Sequence, residues 1–233
     1  MTFSQNILQF ISTLTFDVPL SPGIEVMHPL ENTATIDLCK RFYDQYYHDH
    51  NKRWMIIGIN PGRFGGGVTG IPFTDPIRLE KDCGIENSWP KKQELSSVFI
   101  YQMIKAFGGP TAFYKQFYIT AISPLGFTRN NKNLNYYDDK SLMSDIKGFA
   151  VDCLRRQLNF GIEKNAVFCL GEGKNFHYLS RLNEEYGFFE DVVPLSHPRF
   201  IMQYRLRKME DYIRSYLEKF QMFCRPDRAG PEQ

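Results

Sequence analysis

Two side chains in this sequence can between them run a hydrolysis, Asn60 and His197. An asparagine amide can hold a water, and a histidine ring can donate a hydrogen bond to charge that develops on a leaving group. Neither is informative alone, since a lone histidine after a strand is more often structural than catalytic. Their settings carry more weight. Asn60 lies in G-I-N-P-G-R-F-G-G-G-V-T-G-I-P-F, residues 58–73, directly after the apolar run Trp54 to Ile57. His197 follows a second apolar run and stands beside Pro198 and Arg199. The loop around Asn60 carries six glycines, at 58, 62, 65, 66, 67 and 70, with Pro61 and Pro72. Such glycines let main-chain N–H groups approach a ligand. The loop has neither the Gly-Lys-Ser/Thr ending of a P-loop nor the spacing G-x-G-x-x-G. It is either a plain flexible turn or a ligand loop at a strand's carboxyl end, where open α/β sheets hold their ligands.

The elements that must position these residues follow from apolar spacing. Helices are expected over residues 4–15, 34–48, 97–107, 138–159, 174–186 and 203–220. Strands are expected at 54–57, 117–123, 166–170 and 191–195. Residues 74–97 read as a long polar excursion broken by Pro76, Gly84 and Pro90, and the Asn-rich stretch 130–135 as an exposed loop. Four apolar strands separated by helices predict a three-layer α/β/α sandwich around a central four-stranded, mainly parallel sheet. Three of the four strand ends then carry distinctive chemistry: Asn60, Ser123-Pro124 and His197. One domain is expected over 1–220, with 221–233 a disordered tail.

Composition narrows the class. The 233 residues are 42% hydrophobic and 23% charged, ordinary for a soluble globular chain. Aromatics reach 15%, a surplus that suits stacking on bases. The net charge of +2 gives no global field for a polyanion, so a local basic face would have to do that work. No apolar run spans a bilayer and no secretory signal begins the chain, which places the protein in the cytoplasm with no membrane partner. The five cysteines are widely spaced without C-x-x-C, and the five histidines lack H-E-x-x-H, so neither a disulfide framework nor a metal site is expected. His48 and His50, before Asn51-Lys52-Arg53, read as a solvated helix end.

The loop at 58–73 resembles motif 1 of the SMUG-type uracil-DNA glycosylases, roughly G-M-N-P-G-P-F-G-x-x-x-T-G-x-P-F. The match takes in Gly58, Asn60, Pro61, Gly62, Phe64, Gly65, Thr69, Gly70, Pro72 and Phe73. Glu94-Leu95-Ser96 resembles the family's E-V-S. Ser123-Pro124-Leu125 with Asn133-Leu134 resembles its C-P-L…N-L, and His197-Pro198 the start of its H-P-S-P-R. The likeness runs from about residue 5 to 217. It implies an enzyme of base excision repair that flips a damaged nucleotide into a pocket and leaves an abasic site. By that resemblance, Asn60 positions the water that attacks C1′ and His197 stabilises the departing base. Phe73 stacks on the base, and Gly62 lines the pocket near C5 of a pyrimidine. Ile59, Phe64, Gly65, Ala121 and Ser123 complete the expected surroundings of the base. Neither motif offers a lysine nucleophile, so the enzyme is expected to be monofunctional. No metal or organic cofactor is implied, and the expected partner is DNA containing damaged bases, bound by a monomer.

Two departures matter. The family's uracil-reading asparagine falls where this chain has Ala121. Loss of that amide predicts a broader range, uracil plus deaminated purines such as xanthine or hypoxanthine, unless Asn130, Asn131, Asn133 or Asn135 supplies an amide. The family's wedge loop becomes His197-Pro198-Arg199-Phe200, with Arg199, Phe200 and Met202 as wedge candidates. Phe200 equally fits as a core residue of the last helix. Arg63, Lys174, Arg199, Arg205, Arg207 and Lys208 are each ordinary surface charges singly, and together can grip phosphates, with hydroxyl contacts from Ser96 and Ser196. Gly171-Glu172-Gly173-Lys174 reads as close helix packing with one phosphate contact. Two other functions compete: a hydrolase of free nucleosides or nucleotides, and a damaged-DNA binder without activity.

Overall fold

The computed structural model describes residues 1–224. Seven strands occur among them: β1 Ile24–Met27, β2 Arg53–Gly58, β3 Phe117–Ala121, β4 Gly126–Arg129, β5 Lys132–Leu134, β6 Ile162–Leu170 and β7 Asp191–Leu195. The helices are α1 Phe3–Ser12, α2 Thr33–Tyr47, α3 Gly66–Thr69, α4 Pro76–Lys81, α5 Leu95–Phe107, α6 Pro110–Tyr114, α7 Lys140–Asp145, α8 Lys147–Leu158, α9 Lys174–Tyr186, α10 Pro198–Tyr204 and α11 Met209–Phe223.

The central sheet has the order β3-β2-β6-β7, and each neighbouring pair is parallel. Its inner strands are apolar runs because both faces are covered. Successive side chains of β3 show the two layers. Phe117 meets Phe107 of α5 and Phe220 of α11, with ring centroids 5.5 Å and 4.5 Å away. Tyr118, on the other face, meets Phe3 of α1 at 5.5 Å and donates to Gln157 of α8 at 2.8 Å. The result is the α/β/α sandwich that the strand–helix alternation predicts.

The strand order reverses direction about β2 and β6. β3 lies on one side of β2, while β6 and β7 lie on the other. A crevice therefore opens beyond the carboxyl ends of β2 and β6, the usual ligand position in such sheets. The loops after β2, β6 and β7 all open there.

Several expectations need correction. The stretch 130–135 is not an open loop. Asn130 and Asn131 form a two-residue turn at φ 51° and 56°, closing a hairpin in which Arg129 faces Lys132. Asparagine tolerates that left-handed backbone, so the pair was a hairpin signal. The hairpin joins β1 in a second, antiparallel sheet of order β1-β4-β5. The helix expected over 138–159 divides at Ile146, a single-residue break across which apolar spacing continues. The helix expected from 203 begins instead at Pro198, with proline in the first turn as helix starts favour. A 3₁₀ turn at Leu206–Lys208 then separates α10 from α11. The excursion at 74–97 contains α4, capped by Asp75. Arg53 is not at a solvated end. It is fully buried, bonded to both oxygens of Asp49 at 2.9 Å and lying over the ring of Phe3. Residues 221–223, expected in the tail, continue α11, and 225–233 lie outside the described residues.

Candidate active site

β2 ends at Gly58, paired with Ala121 of β3, and the chain then turns through buried Ile59 to half-buried Asn60. The Asn60 amide is fixed by the far end of the hairpin. Its Nδ2 donates to the Leu134 carbonyl at 3.2 Å, and its Oδ1 accepts from the Tyr136 N–H at 3.0 Å. One lone pair on Oδ1 is left over, so the amide is orientated yet can still accept from a water. Tyr136 is itself anchored: its ring is fully buried and its hydroxyl donates to Asn175 Oδ1 at 2.8 Å. Asn175 Nδ2 in turn donates to the Leu170 carbonyl at the end of β6.

Phe73 closes the same loop. Its backbone stands at φ 53°, a left-handed conformation costly for a bulky residue and typical of sites where the surroundings over-determine the chain. A Cβ on Gly58 would come within 2.7 Å of the Phe73 ring, so glycine there lets the ring lie on the end of the strand. His197 lies across from it, ring centroid 6.3 Å away.

His197 follows β7 and caps α10. Its Nδ1 accepts from the Arg199 N–H at 3.1 Å, which leaves the ring proton on Nε2 in the neutral form. Burial, assisted by the nearby Arg199 charge, brings its pKa down from 6.5 to about 4. Near neutral pH the ring is an uncharged N–H donor, held in orientation by the helix it starts.

Beside Asn60 and Phe73 lies a narrow cavity of about 30 Å³, lined by Ile59, Asn60, Pro61, Gly62, Gly66, Pro72, Phe73, Glu94 and Ala121. It has room for a water or two and would have to widen to admit a ring. A larger cavity of about 440 Å³ adjoins it on the other side of Ile59, lined among others by Tyr137, Lys174, His197 and Phe200. An amide free to accept from a water and an aromatic wall thus line the narrow cavity, and a neutral donor lines the larger one beside it, the parts needed to hydrolyse a bond to a planar leaving group.

Residues 45–221 match the model of the Uracil DNA glycosylase superfamily. The chain belongs to this superfamily. Within it the chain is SMUG-like. The crystal structure of wild-type Pedobacter heparinus SMUG2 is similar over 95% of this chain and 98% of its own, at 47% identity and a TM-score of 0.93. No curated protein matches the chain.

On this superfamily fold the remaining expected site residues divide. Gly62 and Ala121 line the narrow cavity, and Ala121 brings no polar group to it. Gly65 stands behind the cavity wall, packed on the Glu94 carboxyl. Phe64 does not reach the cavity. It is exposed in an outer groove, with Arg63 and Lys92 over its ring at 4.9 Å and 5.2 Å. Ser123 is also displaced from the expected role, since its fully buried hydroxyl donates to the Leu125 carbonyl at 2.7 Å and serves its own turn. Arg63, Ser96 and Arg199 line the outer groove with Lys132 and Asn133, and Arg63 is held there by the Asn131 carbonyl. Lys174 is exposed at the start of α9, over the Tyr137 ring at 5.5 Å. Ser196 gives its hydroxyl to Glu172 Oε2 at 2.8 Å. Phe200 is 40% exposed and packs on Tyr204 under Arg205, so it is not a core residue, while half-buried Met202 packs against the core.

Three contributors were not singled out for the site by sequence reasoning. Leu134 and Tyr136 act through backbone atoms, which leave no side-chain signature. Glu94 lay within a stretch that matched the family, but nothing in its spacing showed that the chain folds it under the glycine loop. No described helix is long and apolar enough to cross a membrane.

Proposed function

We propose that this chain is a monofunctional DNA glycosylase of base excision repair, which flips uracil and other deaminated bases out of DNA and hydrolyses their N-glycosidic bond. The observation that carries the reading is the convergence of Asn60, Phe73 and neutral His197 at the carboxyl ends of β2 and β7. Membership of the superfamily supports the chemistry, and the similarity to SMUG2 supports uracil as the first substrate.

In this reaction the base enters the narrow cavity against Phe73. The glycosidic bond stretches, leaving positive charge on the sugar and negative charge on the base. The Nε2–H of His197 donates to the base as that charge develops. Preorganised donors of this kind contribute roughly 3–4 kcal/mol to transition-state stability. The free lone pair of Asn60 Oδ1 orients a water toward C1′. Addition of the water's oxygen to C1′ yields the abasic sugar, and the proton that the water sheds neutralises the base anion to give the free base. The lining of the narrow cavity includes no lysine, and Lys174 of the adjoining cavity lies over the Tyr137 ring, which supports hydrolysis without strand cleavage.

The lesion range follows from Ala121. A buried alanine leaves no fixed amide to reject a base whose edge differs from uracil, so xanthine and hypoxanthine are accepted with uracil. The basic groove of Arg63, Lys132 and Arg199 supports a polymeric DNA substrate, and exposed Phe200 supports a wedge that fills the gap left by the flipped base. The chain acts as a monomer.

The test is excision from oligonucleotides carrying uracil, xanthine or hypoxanthine, single-stranded and duplex, beside the free nucleosides. Abasic sites that break only on alkaline treatment are expected from all three lesions. Strict uracil preference removes the Ala121 argument. Release from free nucleosides alone replaces the DNA glycosylase with a nucleoside hydrolase, and binding without release replaces it with a damage binder.

A further inference from the structure

Glu94 has no role in the reaction described above, yet the fold places it in the reaction cavity. It precedes α5 and lines both the narrow cavity, with Asn60, Phe73 and Ala121, and the outer groove, with Arg63 and Arg199. Its backbone N–H donates to Asp75 Oδ2 at 2.9 Å, and its Oε2 accepts from the Ser97 hydroxyl at 2.9 Å. Among the described residues, Oε1 has no hydrogen-bond partner. The loop is shaped around this carboxyl. A Cβ on Gly65 would fall 1.9 Å from Oε2, and one on Gly62 would fall 2.9 Å from Oε1. Two glycines of the 58–73 loop therefore make space for a carboxyl group rather than for a phosphate.

We propose that Glu94 is a base-reading residue, its free carboxyl oxygen hydrogen-bonding the flipped base in a cavity whose Ala121 wall offers no polar group. The inference rests on the glycosylase reading and adds to it the group that recognises the base.

The chemistry favours the protonated acid. Deaminated bases present carbonyl acceptors beside ring N–H donors. A neutral carboxyl has one O–H donor and one carbonyl acceptor, so a single side chain can pair with either. An ionised carboxylate only accepts, and it would face a base that leaves carrying negative charge. The setting holds the proton: burial raises the Glu94 pKa to about 7, with buried Asp75 adding to the rise and the Ser97 hydroxyl and Arg199 opposing it. The charged groups facing this carboxyl are Asp75 at the start of α4, Arg199 on α10, Arg63 on the loop and Lys132 on β5. Excision should therefore weaken above neutral pH as the acid ionises.

The experiment is single-turnover excision of uracil and xanthine from pH 5.5 to 9 by the wild type, Glu94→Gln and Glu94→Ala, each checked for a wild-type melting transition. Glutamine keeps a donor and an acceptor and carries no titrating group. Glu94→Gln is expected within about threefold of the wild type at pH 6, and faster than it at pH 8.5. Glu94→Ala is expected to lose tenfold or more, and to change the ratio of uracil to xanthine rates. An unchanged alkaline fall in Glu94→Gln, a Glu94→Gln as impaired as Glu94→Ala, or a Glu94→Ala as fast as the wild type would each overturn the inference. A wild type that releases neither base counts against the glycosylase reading itself.

Discussion

Replacing His197 separates two jobs that one ring performs. Its Nδ1 caps α10 by accepting from the Arg199 N–H at 3.1 Å, and in the proposed mechanism its Nε2–H is the donor to the departing base. His197→Ala removes both. Loss of a helix cap costs about 1 kcal/mol, and in a chain of this size that lowers the melting temperature by about 2–4 °C. Loss of a preorganised donor to developing charge costs about 3–4 kcal/mol, or 10²- to 10³-fold in rate. His197→Asn removes only the second. Asparagine is among the best capping residues, but its amide is too short to take the place of Nε2–H. The assay is single-turnover release of uracil from an oligonucleotide, with thermal unfolding of the same preparations. Both variants are expected to lose 10²- to 10³-fold in rate, and only the alanine variant to lose stability. Equal destabilisation by alanine and asparagine would refute the capping tautomer, and a rate loss below tenfold would refute the donor role.

Asn60→Ala removes the bonds to Leu134 and Tyr136 along with the oxygen proposed to orient the water; single-turnover excision should fall at least a hundredfold while DNA binding, read by mobility shift, persists. Tyr136→Phe strands the buried Asn175 Oδ1 and should cost about 1–3 kcal/mol in denaturant unfolding, with a slower rate as Asn60 loses its support. Gly58→Ala places a Cβ 2.7 Å from the Phe73 ring and should tilt it, raising the half-saturating DNA concentration more than it lowers the melting temperature. Acid should act through His197, whose folded pKa is depressed. The unfolded chain takes up its proton near pH 6.5 and the folded chain only near pH 4, so this contribution to stability is present above pH 6.5 and lost as the pH falls between those values. The wild type should therefore match His197→Asn in stability at pH 7 and fall below it at pH 5, and a constant difference would contradict the shift.

Much of the architecture was legible because the central strands are covered on both faces. Burial makes them continuous apolar runs, and their spacing by helices dictates a parallel sheet. Asn60, Phe73 and His197 were legible for a different reason: they sit in dense local motifs, and chain order alone puts each after a strand or in the loop that follows one. Where the reading failed, the decisive contacts lay outside the local pattern. The Asn130-Asn131 turn reads as polar loop because its strands are only four and three residues long and β5 is largely exposed. Phe64 and Ser123 fall within or beside motifs yet turn away from the narrow cavity, because a motif does not show which way a side chain points.

Sequence by itself thus determined the chemistry available at this site: an amide, an imidazole, an aromatic ring and glycines to bring the backbone close. Tertiary structure decided how those groups are held. Two backbone groups, at the end of β5 and just after it, 74 and 76 positions from Asn60, fix its amide. Capping of α10 fixes the tautomer of His197. Packing from α5 brings the Glu94 carboxyl under Gly62 and Gly65. Hydrogen bonds and burial of this kind depend on distances between segments remote along the chain, and residue types at fixed spacing do not encode those distances.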